Sequence, residues 1–381
     1  MFAKRFKNRL KASHQAGLHR NPPEIRKKDG KYLFIDNRKV LNFASNDYLG
    51  LSISETLKKK VADNFLKYST SSSSSRLVSG NYSVIADAEK KYADYFGYED
   101  ALFFPSGYQA NLGIISAFFE HKDRLIFDKH IHASSIKGIS LSKADFFGYN
   151  HNSMSHLRKR LEANRYQQTA VLTESLFSMD GDFLDVEAFG RLKDRYGFFS
   201  IIDEAHAFGA AGEKGRGIGR KVADVAVGTF GKAMSLFGAF VLLPKEFKEY
   251  LFNFSSPLIY STTLPEAHAA SAIDILHIVS QSDDKREKLQ KISRQMKEGL
   301  RAAGFRIKGD AHILAIEIGD ETECVKVSQS LLKKDIFILP ARYPTVQINR
   351  AILRFAITAL HTEEDVRYFV DSLKEVYGKI S

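Results

Sequence analysis

Between residues 100 and 245, short apolar runs alternate with stretches of helical periodicity. The runs are ALFF (101–104), RLIF (124–127), AVLTES (170–175), FFSIIDE (198–204), VAVGTF (225–230) and AFVLLP (239–244). Most are unbroken, as in strands buried on both faces. Their separation fits crossover helices, which predicts an α/β lobe built on a mostly parallel sheet with helices on both faces. In such sheets ligands lie off the carboxyl ends of the strands, so polar residues just after the runs are the first candidates for chemistry.

The pattern changes after about residue 280. REKLQKISRQMKEGL places Leu289, Ile292, Met296 and Leu300 on one helical face, and strand-like HILAIEI (312–318), IFIL (336–339) and AILRFAI (351–357) follow. A last helix opens at TEED, where Thr362 can cap, and its periodicity buries Val366, Phe369, Val370 and Leu373. This predicts a smaller C-terminal α+β lobe. The expected division is an N-terminal segment over 1–45, a large lobe over 46–280 and a small lobe over 281–381. The first residues, MFAKRFKNRLKASH, set Phe2, Phe6 and Leu10 four apart and predict an amphipathic helix.

Composition narrows the classes. A chain of 381 residues, 44% apolar, exceeds one simple domain, and its single cysteine, Cys324, excludes an internal disulfide framework. That usage points to a reducing, cytoplasmic compartment, and no apolar run reaches the length of a membrane span. The net charge of +11 raises nucleic acid as a partner, but the basic residues are scattered and no zinc-finger or RNP-type motif occurs. A phosphorylated cofactor or a coenzyme A ester would suit a basic surface equally well. Charge alone does not choose.

Three motifs carry candidate chemistry. In VGTFGKAM (227–234), Lys232 follows a buried strand among small residues, where partial desolvation frees an amine to act as a nucleophile; its ordinary alternative is a surface lysine in a loop. In IIDEAHAFGAAGEKGRG, Asp203 ends a strand with His206 three residues on, placing a carboxylate to pair with a protonated ring nitrogen. An aspartate that merely caps a helix is the alternative, and no G-x-x-x-x-G-K-[ST] loop supports a nucleoside triphosphatase. In FFPSGYQAN (103–111) a strand, a Ser106-Gly107 turn and a helix start present backbone amides suited to phosphate. A phosphate cradle, a ring-nitrogen carboxylate and a Schiff-base lysine together are the requirements of pyridoxal phosphate.

With these residues in place, the chain resembles the α-oxoamine synthases, fold-type I pyridoxal phosphate enzymes. The resemblance runs from LNFASNDYLGLS (41–52) through FFPSGYQAN, DKHIHASS, ESLFSMDGD, DEAHAFGAAGEKGRG, GTFGKA and IYSTTLP to LRFAITALH (353–361). It implies that Lys232 holds the cofactor and later moves the substrate's Cα proton, that Asp203 keeps the ring nitrogen protonated, and that His206 bonds the phenolic oxygen. His132 is implied to stack on the ring. Gly107 and Tyr108 are implied on the phosphate side, Ser178 and Thr229 around the cofactor, and Thr262 and Thr263 at a neighbouring subunit's phosphate. The last two imply a homodimer with shared active sites. Arg354 is implied to hold an amino-acid carboxylate, Asn46 lies on the substrate side, and Arg20 is a candidate for the acyl chain's far carboxylate. The implied reaction joins an amino acid, L-alanine first among them, to an acyl thioester such as a pimeloyl thioester, with loss of carbon dioxide. The resemblance implies no metal, no nucleic-acid partner and no membrane span. Acetyl or long-chain acyl donors, or a transamination, are the alternatives.

Two stretches depart from the family pattern in the core of the chain, and LHRNPP around Arg20 matches only loosely. Serines 71–75 stand where relatives carry glycines, and AMSLFGAF after the lysine, from Met234 to Phe237, is bulkier than usual. The serine run, TSSSSSRLVSGN (70–81), has the composition of a linker. Its position in the family predicts instead an ordered loop whose hydroxyls bond backbone or cofactor-side groups.

Overall fold

The computed structural model describes residues 1–163 and 168–378. These form two compact units, one of residues 51–178 and 183–286, the other of 1–50, 179–182 and 287–381. The boundary near residue 286 falls inside the helix Asp283–Ala302.

The first unit is built on a seven-stranded sheet. Its strands are β1 (Asp100–Phe104), β2 (Asp123–Asp128), β3 (Asp145–Tyr149), β4 (Gln168–Glu174), β5 (Phe199–Asp203), β6 (Val225–Thr229) and β7 (Ala239–Leu243). The spatial order is β1-β7-β6-β5-β4-β2-β3. From β6 to β3 every pairing is parallel, and β7 runs antiparallel to both β6 and β1. The fold is thus the predicted α/β class, with one reversed strand that the apolar runs did not distinguish. The edge strand β3 lacks such a run, because only Tyr149 of it is buried.

Consecutive residues of the inner strands enter different cores. Leu125, Leu172 and Ile201 pack on one side, while Ile126, Val171 and Ile202 pack on the other. That is why these strands read as continuous apolar runs rather than as alternation. Next to the sheet, Tyr92, Phe96, Phe103, Phe230 and Phe240 form an aromatic cluster with edge-on contacts of about 5 Å. Gly228 is required there, since a Cβ would come within 2.3 Å of the Phe240 ring.

The serine run is an ordered loop of this unit. Ser72 Oγ donates to the Thr263 carbonyl at 2.8 Å, the Thr263 amide donates to the Ser74 carbonyl at 2.9 Å, and the Ser79 amide donates to Ser74 Oγ at 3.1 Å. Ser73 takes a left-handed φ of 50°, a region that favours glycine, and its amide is held by Ser71 Oγ at 3.0 Å. Directly after the run, Arg76 pairs with Glu89 at 2.6 Å, both side chains almost fully buried. Glu89 also accepts the Phe103 amide at 2.8 Å and lies 3.0 Å from Lys248. The loop is thereby fastened to β1.

The second unit carries two four-stranded sheets. One joins Ile25–Asp29, Tyr32–Ile35 and Arg38–Asn42 to Ile336–Phe337, and the other joins Ile307–Lys308, Ile313–Gly319, Ala351–Ala356 and Leu339–Ala341. The run IFIL is therefore divided between two sheets. Leu289, Ile292, Met296 and Leu300 are buried as their periodicity required. Thr362 and Asp365 close a capping box on the helix Glu363–Tyr377, which buries Val366, Phe369, Val370 and Leu373. The N-terminal helix Phe2–Gln15 forms, but none of its residues is buried in the single chain. No helix among the described residues is long and apolar enough to cross a membrane.

His361 stacks on Phe43 at 4.4 Å, and its Nδ1 accepts the Thr358 amide at 3.0 Å. Burial above all pushes its pKa down to about 4. In the unfolded chain the ring titrates near its ordinary value, so the native state holds the neutral ring and loses stability as pH falls from about 6.5 towards 4, by up to about 3 kcal/mol. Denaturant melts across that range should show this decline, and the His361 resonance should titrate only at its lower end.

Glu89→Ala leaves the Arg76 guanidinium buried without its carboxylate and should destabilise the first unit by about 3–5 kcal/mol. The control Glu187→Ala, which breaks the exposed pair with Arg191, should shift the same melts by under about 1 kcal/mol.

Candidate active site

Asp203 is the last residue of β5, where burial on both faces ends. Its Oδ1 accepts the Ala205 amide at 2.9 Å, a turn that carries the chain towards buried His206. Its Oδ2 accepts from Asn111 Nδ2 at 2.8 Å. The next residue, Glu204, serves a different set of partners. It accepts Ser175 Oγ at 2.5 Å and the amides of Ile218 and Gly219, which fastens the glycine-rich loop, and burial pushes its carboxyl up to about 7.

Lys232 sits in the connection between β6 and β7. Thr229 Oγ1 and the Phe230 amide both donate to the Gly238 carbonyl, at 3.0 Å each, and the Leu236 amide returns to the Phe230 carbonyl at 2.8 Å. Ser235, inside the bulky stretch, takes φ 54° and donates its amide to the Lys232 carbonyl at 3.0 Å. Met234 is buried near Tyr92, whereas Phe237 is exposed. The departure from the family pattern thus contributes one core residue and one surface residue.

After β1, Ser106 caps helix α1 (Gly107–Phe118) by accepting the Gln109 amide at 3.2 Å. A Cβ on Gly107 would meet nothing nearer than Thr229 at 4.0 Å, so the helix start, with Tyr108 exposed beside it, faces open space. His132 caps the following helix, α2 (Ala133–Leu141), with Tyr108 edge-on to its ring at 6.5 Å. Burial lowers the His132 pKa, Lys232 adds to the drop and Asp203 opposes it.

Glu174 completes the cluster. It ends β4, wholly buried, with Oε2 accepting the Ser178 amide at 3.1 Å and Oε1 without a hydrogen-bond partner. Burial first, then neighbouring Asp203, raise its carboxyl well above the usual range, while Lys232 pulls the other way. The sequence motifs gave no role to Glu174, the charged residue next to last in AVLTES, nor to Asn111 in YQAN.

The structure therefore brings Gly107, Tyr108, His132, Ser178, Asp203, His206, Thr229 and Lys232 to the ends of the strands of one unit and the segments that follow them. Thr263 is buried and bonded to the serine loop, and Thr262 beside it is exposed. In the other unit, half-buried Arg354 donates to Asn46 Oδ1 at 3.2 Å, and Tyr48 Oη donates to the same oxygen at 3.1 Å. Burial raises the Tyr48 phenol to about 12, against the pull of Arg354. Arg20, in that unit, donates to Thr345 Oγ1 at 3.4 Å on an exposed surface.

Residues 38–373 match the family described as aminotransferase class I and II. The 8-amino-7-oxononanoate synthase of Haemophilus ducreyi is 36% identical over 385 residues, spanning 97% of this chain and 99% of that protein. A serine palmitoyltransferase variant from S. paucimobilis, solved with bound pyridoxal phosphate and myriocin, superposes with a TM-score of 0.92 at 25% identity, covering 98% of this chain and 97% of that one. The 8-amino-7-oxononanoate synthase of Francisella tularensis gives 0.77 at 28% identity, covering 90% and 99%.

The site residues fit pyridoxal phosphate. An open helix start suits a phosphate, Asp203 suits a protonated ring nitrogen, and the partnerless Glu174 Oε1 marks buried polar space left within the cluster.

Because the folded state raises the Glu174 pKa, the native chain holds a proton that the unfolded chain releases, and stability falls as pH rises above about 4.5. Glu174→Gln removes that loss. Thermal midpoints of the cofactor-free protein should rise relative to wild type, by a margin that widens from pH 5 to 8.

Proposed function

The chain belongs to the class I and II aminotransferase family, and within it to the pyridoxal phosphate-dependent α-oxoamine synthases; from that premise we propose that it condenses L-alanine with a pimeloyl thioester. The products would be 8-amino-7-oxononanoate, carbon dioxide and free thiol, a step of biotin synthesis. The observation that carries this choice of substrates is the match to the Haemophilus ducreyi synthase over nearly the full length of both chains.

Bound pyridoxal phosphate supplies an electron-withdrawing ring that stabilises negative charge at the amino-acid α-carbon. In this reading Lys232 Nζ would hold the cofactor, and its amine would be the base for the α-proton. The Asp203 carboxylate keeps a proton on the ring nitrogen, the dominant electrostatic contribution of the protein. His132 would cover one face of the ring, and His206 would bond the phenolic oxygen. The amides of Gly107 and Tyr108 would receive the phosphate, with Thr229 and Ser178 at the cofactor's edge. Thr262 and Thr263 would reach the partner's phosphate in a homodimer working in the cytoplasm. Arg354, oriented by Asn46, takes the amino-acid carboxylate in a bidentate pair, and Arg20 meets the distal carboxylate of the acyl chain.

A second reading has its own support. The serine palmitoyltransferase superposes more completely than the Francisella synthase, 0.92 against 0.77. That favours a serine substrate with a long-chain acyl donor.

Purified protein offered glycine, alanine and serine with acetyl, pimeloyl and palmitoyl thioesters, followed by thiol release, separates the readings. Turnover confined to L-alanine with the pimeloyl donor is expected, and turnover of serine with palmitoyl thioester would replace it with the second. Lys232→Ala should lose both turnover and the visible absorbance of lysine-bound cofactor. Arg354→Ala should raise the KM for the amino acid about tenfold or more, as loss of a charge-assisted pair predicts.

A further inference from the structure

The two groups read as flanking the cofactor ring, Asp203 and His132, are joined through residues to which the reaction gives no role. Asn111 lies in the second turn of α1, 2% exposed, and Ser134 in the first turn of α2, fully buried. Asn111 Nδ2 donates to Asp203 Oδ2 at 2.8 Å and to Ser134 Oγ at 3.1 Å. Ser134 Oγ is 2.7 Å from His132 Nδ1, and the Ser134 amide donates to the same nitrogen at 3.3 Å.

The direction of every proton follows by elimination. A backbone N–H only donates, so His132 Nδ1 carries a lone pair. The Asn111 amide must turn its NH2 to Asp203, since its carbonyl would face a carboxylate with two acceptors opposed. Ser134 Oγ therefore accepts from Asn111 and has its own hydrogen for His132. We infer that Asn111 and Ser134 are positioning residues, a run of hydrogen bonds diverging from the Asn111 amide that on one side fixes the Asp203 carboxylate and on the other, through Ser134, holds His132 as the neutral Nε2–H tautomer. A neutral ring stacks on a cofactor kept protonated by Asp203 without opposing its charge.

The inference rests on the reading of Asp203 and His132 as the groups at the cofactor. The charged and titratable groups around His132 are Asp203, Lys232 and Glu174, whose carboxyl pKa the His132 backbone amide pulls down against burial, with the Tyr108 ring edge-on. Protonating Nδ1 would displace two donors aimed at its lone pair, so removing the Ser134 hydroxyl should ease protonation.

Ring-labelled histidine spectra of the full-length holoenzyme, assigned with His132→Gln, test this directly. Wild type should show His132 as Nε2–H, and Ser134→Ala should move its titration midpoint upward by about half a pH unit, roughly a threefold change in protonation. Asn111→Leu should weaken cofactor retention about tenfold in a spectrophotometric titration, as loss of a bond to a charged group predicts. An Nδ1–H ring in wild type, or an unchanged midpoint in Ser134→Ala, overturns the inference. Should Asn111→Leu fail to fold, Ser134→Ala decides alone. Wild type that takes up no pyridoxal phosphate would instead defeat the functional reading, and the histidine spectra of the cofactor-free chain would still judge the hydrogen-bond run.

Discussion

A parallel sheet buried on both faces leaves its polar side chains only one place to go. Along β2, β4, β5 and β6 the central apolar residues are committed to one core or the other, and the carboxylates Glu174 and Asp203 come where β4 and β5 stop. Because these strands point the same way, their stopping points gather at one edge. The reversed β7 supplies the remaining element, a return segment that sets Gly238 against Thr229 and closes the connection bearing Lys232. The chemistry of the unit is a consequence of where the sheet runs out of core.

Burial and hydrogen bonding then distinguish three carboxyls that the sheet register brings together, Glu174 opposite Asp203 and Glu204 next to it. Asp203 has firm donors on both oxygens, Glu174 is buried with one oxygen unserved, and Glu204 is buried but bonded into the loop. Burial raises the pKa of both glutamates, against the hydrogen bonds each accepts. Asp203 and Glu204 are adjacent in sequence and serve different structures, one the candidate site and the other the glycine-rich loop.

Much of this was legible in the sequence, for physical reasons that differ by residue. Lys232 and Asp203 announce themselves because charged residues rarely follow unbroken apolar runs without purpose, and Thr362 because a capping box has a fixed spacing. The edge strand 145–149 was not legible, since an edge strand need bury only one residue and leaves no apolar run. The division of 336–341 between two sheets depends on partners far away in the chain. Glu174 and Asn111 were unreadable for another reason: their importance lies in which neighbours touch them, and spacing alone carries no such information. The serine run is the instructive middle case. Its composition suggests slack chain, yet backbone bonds to Thr263 and the buried Arg76–Glu89 pair make it firm.

The closed connection between β6 and β7 has an implication for conformational entropy. Its backbone is held by bonds at Phe230, Ser235 and Leu236, so the chain carrying Lys232 is ordered by its own contacts. Restricting such a side chain costs about 2 kcal/mol, whereas ordering a slack backbone would add about 1–2 kcal/mol for each residue. Any movement of the amine is thereby confined to bond rotations within its own side chain, on a backbone pivot fixed by these bonds.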